Sequence, residues 1–81
     1  MPYFFLSVRD GGLLILDPEG TEFADLEAAR AEALAAAREI LADKLKNGQV
    51  HDSREFEITD ETGEVLATVP LMAALTHQSV T

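Results

Sequence analysis

Three consecutive residues, His51-Asp52-Ser53, carry the side-chain types of a hydrolytic triad. A triad works only when nucleophile, base and orienting acid converge in space, and neighbours in a polar loop seldom do. The segment is therefore expected to be a solvated loop in which Asp52 or Ser53 caps a local turn. His77 falls in a segment expected to fray, and no chemistry is assigned to it. A second candidate is the run of carboxylates Asp17, Glu19, Glu22, Asp25 and Glu27, the ligand type of hard cations. A calcium loop needs acceptors at alternate positions and Gly at the sixth. Counted from Asp17, Gly20 comes at the fourth, after Pro18, so the pattern fails.

Asp60, Glu61 and Glu64 surround a turn and are expected at a solvated hairpin tip. Acid–base work by paired carboxyls needs one of them in an apolar pocket, and no segment supplies one. Gly11-Gly12 lies between two strand-like runs rather than at a strand-to-helix junction, which makes it a poor phosphate cradle. No catalytic, cofactor-binding or metal-binding residues are assigned, no cofactor is expected, and the chain is expected not to be an enzyme.

Composition narrows the classes further. Fifteen acidic against six basic residues give a net charge of −9. Nucleic-acid binders need clustered Lys and Arg to release counterions. The nearest approach to a cluster here is Lys44 with Lys46, so no nucleic acid is expected as a partner. With no Cys disulfides are excluded, which fits a reducing compartment. His51 and His77 are the only soft ligands, too few for a structural zinc site. The opening MPYFFLSVRD lacks a basic leader segment and its apolar run is short. No apolar run approaches a membrane span. The expectation is a cytoplasmic protein with no membrane partner.

The elements that position these residues follow from pattern. Tyr3 to Val8 is a strand rich in aromatic and β-branched residues. Asp10-Gly11-Gly12 supplies a tight hairpin turn, and Leu13 to Leu16 is the second strand, ended by Asp17-Pro18-Glu19-Gly20. A two-residue loop puts Leu13 and Ile15 on the face of Val8 and Leu6; a three-residue loop would swap in Leu14 and Leu16. Thr21 to Ala24 links into a helix of about 26–47, with Asp25 as N-cap, Glu27 at the positive end of the dipole, and Lys44, Lys46, Asn47 and Gly48 at the other end.

One broad stripe of that helix holds Leu26, Ala29, Ala33, Leu34, Ala37, Ile40, Leu41 and Leu45. The alanines let its backbone approach a sheet closely, while Ile40, Leu41 and Leu45 fill the wider end. Arg30 is expected to lay its stem along the core edge with its guanidinium in water. Arg54 to Thr59 alternates with Phe56 and Ile58 inward, and Asp60-Glu61-Thr62-Gly63 turns the chain, with Gly63 at the positive-φ position. Glu64 to Val69 is the fourth strand, with either Val65/Ala67/Val69 or Leu66/Thr68 inward. Pro70 stops it, Leu71 to Leu75 forms a helical turn, and 76–81 is a frayed tail.

Together these make a single domain over 1–81, of class α+β: ββαββ, a four-stranded antiparallel sheet with one long helix across one face. The strands fall at about 3–8, 13–16, 54–59 and 64–69. The preferred order is 2-1-3-4, because the first strand is apolar on both faces and suits the centre; 1-2-4-3 is the alternative. Twenty-two helical residues span roughly 33 Å, against about 20–23 Å for strands of this length. The helix must lie diagonally or overhang the sheet, and Leu71–Leu75 can pack beneath an overhang.

MPYFFLSVRDGG, LDPEGTEFADLEAARAEALAAAREILAD and REFEITDETGEVLATVP, in that order over about residues 2 to 75, resemble a family of short bacterial proteins described as a domain of unknown function. The resemblance implies a cytoplasmic single-domain bacterial protein and brings no activity or site residue with it. A hairpin followed by a D-L-E-A-A helix is also similar to small antitoxin domains. The second hairpin, and the lack of a DNA-binding appendage and of a Pro-rich loop before the helix, depart from that pattern.

One helix covers one face of a sheet. With Phe4, Leu6, Val8, Leu13 and Ile15 beneath it, Tyr3, Phe5, Leu14 and Leu16 lie on the other side and form the candidate interface. A domain this small buries only about 60% of its unfolded surface, so self-association is the stabilising device left open. The expected function is a non-enzymatic interaction module, a homodimer through the uncovered sheet face or an edge. The alternative is an antitoxin-like or adaptor protein that offers its acidic surface to a basic protein partner.

Overall fold

The computed structural model describes residues 2–49 and 51–76. His77 and most of the expected tail lie outside them. The elements run β1 (Tyr3–Asp10), β2 (Leu13–Ile15), β3 (Thr21–Glu22), α1 (Leu26–Lys46), β4 (Glu55–Thr59), β5 (Val65–Pro70) and α2 (Ala73–Thr76). The sheet is antiparallel, in the order β2-β1-β4-β5, with β3 also paired to β1. The preferred order of the four expected strands is therefore the observed one, but there are five strands. Thr21-Glu22, expected as linker, pairs with Phe4 and Tyr3. β2 and β3 thus lie end to end along the same edge of β1.

The long helix forms where its caps stand. Asp25 accepts a hydrogen bond from the Ala28 amide at 2.9 Å. At the other end Gly48, at φ +77°, lets the Gly48 and Gln49 amides reach back to the Leu45 and Lys44 carbonyls, the Schellman arrangement. Ala29, Ala33 and Ala37 are fully buried against the sheet and Leu41 nearly so. The small residues set a close helix–sheet approach, and Phe4, Phe56, Ile58 and Val69 complete the core. Leu45, expected to fill the wider end, is half exposed. Beside its C-terminal turns pack α2 and the segment before it. Leu71 and Ala74 are buried in that position.

The second hairpin settles its own register. Asp60 Oδ1 accepts from the Thr62 amide and hydroxyl and from the Glu64 amide, with Gly63 at φ +89°. These bonds to the ionised form hold the Asp60 carboxyl below its ordinary range. A bulge follows: Ile58 pairs with Ala67 but Thr59 with Val65, so Leu66 is the extra residue. Ala67 and Val69 face the helix, and the bulge turns Val65 to the opposite face beside Thr59.

Coverage by the helix is the main departure from expectation. α1 packs on β5, β1 and β4 and does not reach β2. Leu13 and Ile15 do share the face of Val8, as a two-residue loop requires, with Val8 opposite Ile15 and Asp10 opposite Leu13. They are nevertheless 62% and 50% exposed. They were expected in the core; the helix lies too far toward β5 to cover them.

Candidate functional site

The carboxylates that looked free to do chemistry are held by the fold. Asp17 begins the turn after β2. Its Oδ2 accepts from the Leu6 amide at 3.2 Å, and its Oδ1 from the Glu19 and Gly20 amides at 3.3 Å. Its own amide donates to Ser7 Oγ. The reason is topological. β2 pairs with β1 at Val8–Asp10 and β3 at Tyr3–Phe4, which leaves a gap in the ladder at Phe5–Ser7, and Asp17 supplies the acceptor that no strand provides there. Asp17→Ala is expected to cost about 2 kcal/mol, the usual size for a stranded amide plus a lost turn. A urea titration measures it, and hydrogen exchange at the Leu6 amide should quicken by at least tenfold.

That turn folds over the sheet face opposite the helix. Ser7, on this face, is buried, and Phe5 is half-buried. Gly20 sits at φ +71°, and a Cβ there would come within 2.7 Å of the Phe5 ring, so both the backbone angle and the close approach require glycine. Phe5, Leu16 and Pro18 line a shallow cleft of about 380 Å3 between this turn and the Asp60–Gly63 tip. Farther along β1 this face carries an ion pair. Arg9 Nε donates to Glu57 Oε2 at 2.9 Å, and this bond raises the Arg9 pKa above its ordinary value.

His51-Asp52-Ser53 does not converge as a triad. His51 and Ser53 are exposed. Asp52 caps a turn, as expected, but its side chain is only 2% exposed, against the expectation of a solvated loop. Arg54 donates to it from the backbone amide at 3.0 Å and from Nε at 2.9 and 3.1 Å, with Nη2 on Oδ2. Lys44 Nζ stands 3.3 Å from Oδ2. The hydrogen bonds from Arg54, only partly opposed by burial, hold the Asp52 carboxyl well below the usual carboxylate range. Because Arg54 also accepts the Leu71 amide through its carbonyl, Asp52 ties the last turn of α1 to the start of β4 and the end of β5. The charge pattern at 44, 52 and 54 is visible in the sequence, but its convergence depends on where the helix ends.

The acidic run is likewise dispersed. Asp17 is turned to β1, Glu22 lies in β3, Asp25 caps α1, and Glu27 stands 3.8 Å from Arg30. Arg30 itself is 38% exposed, its stem along the helix flank. Among the described residues no group of three or more His, Cys, Asp or Glu could hold a metal ion, and no helix is long and apolar enough to cross a membrane.

What remains is surface. Of the four candidate interface residues, Tyr3 is 40% and Leu16 is 70% exposed, while Phe5 and Leu14 are half-buried. Phe5 and Leu16 line the same cleft, and Tyr3 lies apart from it. Tyr3 stands at the β3 end of β1 and Leu16 beside β2, with the Asp17–Gly20 turn between. The larger apolar feature is the β2 corner, where Leu13, Ile15 and Leu16 are all at least half exposed; Leu16 was expected there, and Leu13 and Ile15 join it because the helix stops short of them. Finding it requires knowing how far the helix reaches.

A small α+β protein with internally bonded carboxylates and an uncovered sheet edge is what these features define. The chain belongs to the DUF6894 family, a domain of unknown function, whose family model matches residues 3–73. No curated protein and no solved structure matches it.

Proposed function

We propose that the chain is a non-enzymatic interaction module, a bacterial cytoplasmic protein that self-associates as a homodimer through the β2 side of its sheet. The carrying observation is the β2 corner: Leu13 and Ile15 are exposed on a strand that α1 does not reach, and Leu16 is exposed just after it. Exposed apolar residues grouped on one element mark an association surface more often than a bare one. Support also comes from the carboxylates. Asp17 and Asp52 spend both oxygens on internal donors, and Asp60 spends Oδ1 on three, which leaves these groups little for catalysis. Three exposed apolar side chains fall well short of the roughly 20–30 residues a side of a standard interface, so dissociation in the micromolar range is expected. Leu16→Glu, at the most exposed of these positions, should weaken association at least tenfold with the helical content unchanged. Light scattering on both proteins at matched concentrations checks this.

The second reading, an adaptor or antitoxin-like protein that binds a basic partner, is favoured by the net charge of −9. The two readings separate by salt. Binding a basic partner weakens as salt screens attraction, whereas self-association of an anionic chain strengthens as salt screens repulsion.

A further inference from the structure

We infer that the partner on β2 is the β2 of a second copy, paired antiparallel about a two-fold axis at Leu14, so that the two sheets become one. This rests on the self-association proposed above and adds its geometry.

The first support is the state of the two edges. The β5 edge carries a bulge at Leu66 and ends in Pro70, devices that blunt strand addition. β2 carries neither Pro, nor bulge, nor charge. It is short, and that limits strength rather than geometry.

The second is which backbone groups face out. Gly11 at φ +61° followed by Gly12 outside the positive-φ region makes a two-residue turn of the primed kind, in which the closing pair, Asp10 and Leu13, exchanges hydrogen bonds. The pattern alternates along an antiparallel pair. Leu13 and Ile15 therefore direct their amides and carbonyls to β1, and Leu14 directs its pair outward. Across a two-fold at Leu14, the two Leu14 residues exchange both bonds.

The third is charge. Residues 11–16 are uncharged. The two-fold sets Leu13 against Ile15 of the copy and Gly12 against Leu16, so the overlap is free of charge in a chain of net charge −9. Asp17, at its border, has both oxygens turned back onto β1 and its own turn. Because a two-fold perpendicular to the sheet keeps each face on its side, Leu13 and Ile15 of both copies meet on the helix face. They fill the strip that each α1 leaves uncovered. The opposite face gathers Leu14 and Leu16. A face-to-face stack has less to offer, since that surface holds the protruding Asp17–Gly20 turn and the Arg9–Glu57 ion pair.

The chain has no Cys, so single cysteines report contact cleanly. Leu14→Cys should place two thiols on directly opposed residues about 5.5 Å apart at Cα, within disulfide range. Under oxidised glutathione it should form a covalent dimer at least tenfold faster than Thr68→Cys, placed on the β5 edge. The rate should rise severalfold between about 50 and about 500 mM NaCl as repulsion is screened. Circular dichroism of both variants confirms the helix. If the wild type dimerises but Leu14→Cys cross-links no faster than Thr68→Cys, the β2 pairing is overturned and the self-association stands. If the wild type is monomeric throughout, both fall.

Discussion

Asp52→Ala is expected to lower the unfolding free energy by about 2–3 kcal/mol, because the carboxylate is buried while Arg54 and Lys44 keep nearly a third of their side-chain surface in water. In a domain whose whole stability is of order 5–15 kcal/mol, that is a large fraction of the total. The size follows from what is stranded. Removing the carboxylate leaves the Arg54 amide and guanidinium and the Lys44 ammonium around a site that is 2% exposed. It also unties the α1 C-terminus from the β4–β5 end of the sheet.

The pH dependence has a definite sign. Asp52 titrates well below its unfolded value of about 3.9, so its contribution is fully present above that value and is lost as pH falls toward the folded one. The gap between wild type and Asp52→Ala should therefore be constant from pH 7 to about 5. It should narrow below about pH 4. Urea titrations at fixed protein concentration across that range measure it; a gap that stays unchanged down to pH 2 would show that the carboxylate charge is not what stabilises this joint.

Ile58→Ala should cost about 3–4 kcal/mol, within the range for large-to-small changes in a core. Ile58 is fully buried at the centre of the sheet, paired with Leu6 on one side and Ala67 on the other. Above it runs the alanine stripe of α1. Ala29, Ala33 and Ala37 have no longer side chain to move into the space, so the cavity cannot collapse from the helix side. A thermal melt reading under 1 kcal/mol would mean that the helix can settle closer to the sheet than its alanines already place it.

The elements legible in the sequence were those whose signals are local. The helix carries both caps in its own residues, and Asp25 and Gly48 stand where capping chemistry put them. Phe56 and Ile58 alternate with glutamates and are buried as alternation requires. The strand order followed from the two-sided apolarity of β1, because a strand with apolar residues on both faces belongs between neighbours. What escaped the sequence were features set by reach. β3 forms because the Asp17–Gly20 turn brings Thr21 back to the start of β1, and two residues, only one of them a strand former, are too short a run to show it. Leu13 and Ile15 have the right face, but the helix lies beyond them.

The carboxylates show the same division. Asp60 is a turn residue whose partners are its own neighbours, and its place at a hairpin tip could be read directly. Asp17 bonds the Leu6 amide across the gap between two short strands, and Asp52 collects Lys44 and Arg54 from different elements. Those partnerships need the tertiary fold, which is why a tempting His-Asp-Ser sequence proves to be a structural joint.

If the uncovered β2 corner is where this protein meets a second copy of itself, its mass in solution depends on concentration. Sedimentation or light scattering of the wild-type chain across a dilution series from about 500 to about 1 μM tests it most directly, the window in which a small interface should dissociate. The expected result is a mass that falls from dimer to monomer across the series, with the midpoint moving to lower concentration as salt is added. A monomer mass at every concentration and every salt level would contradict it.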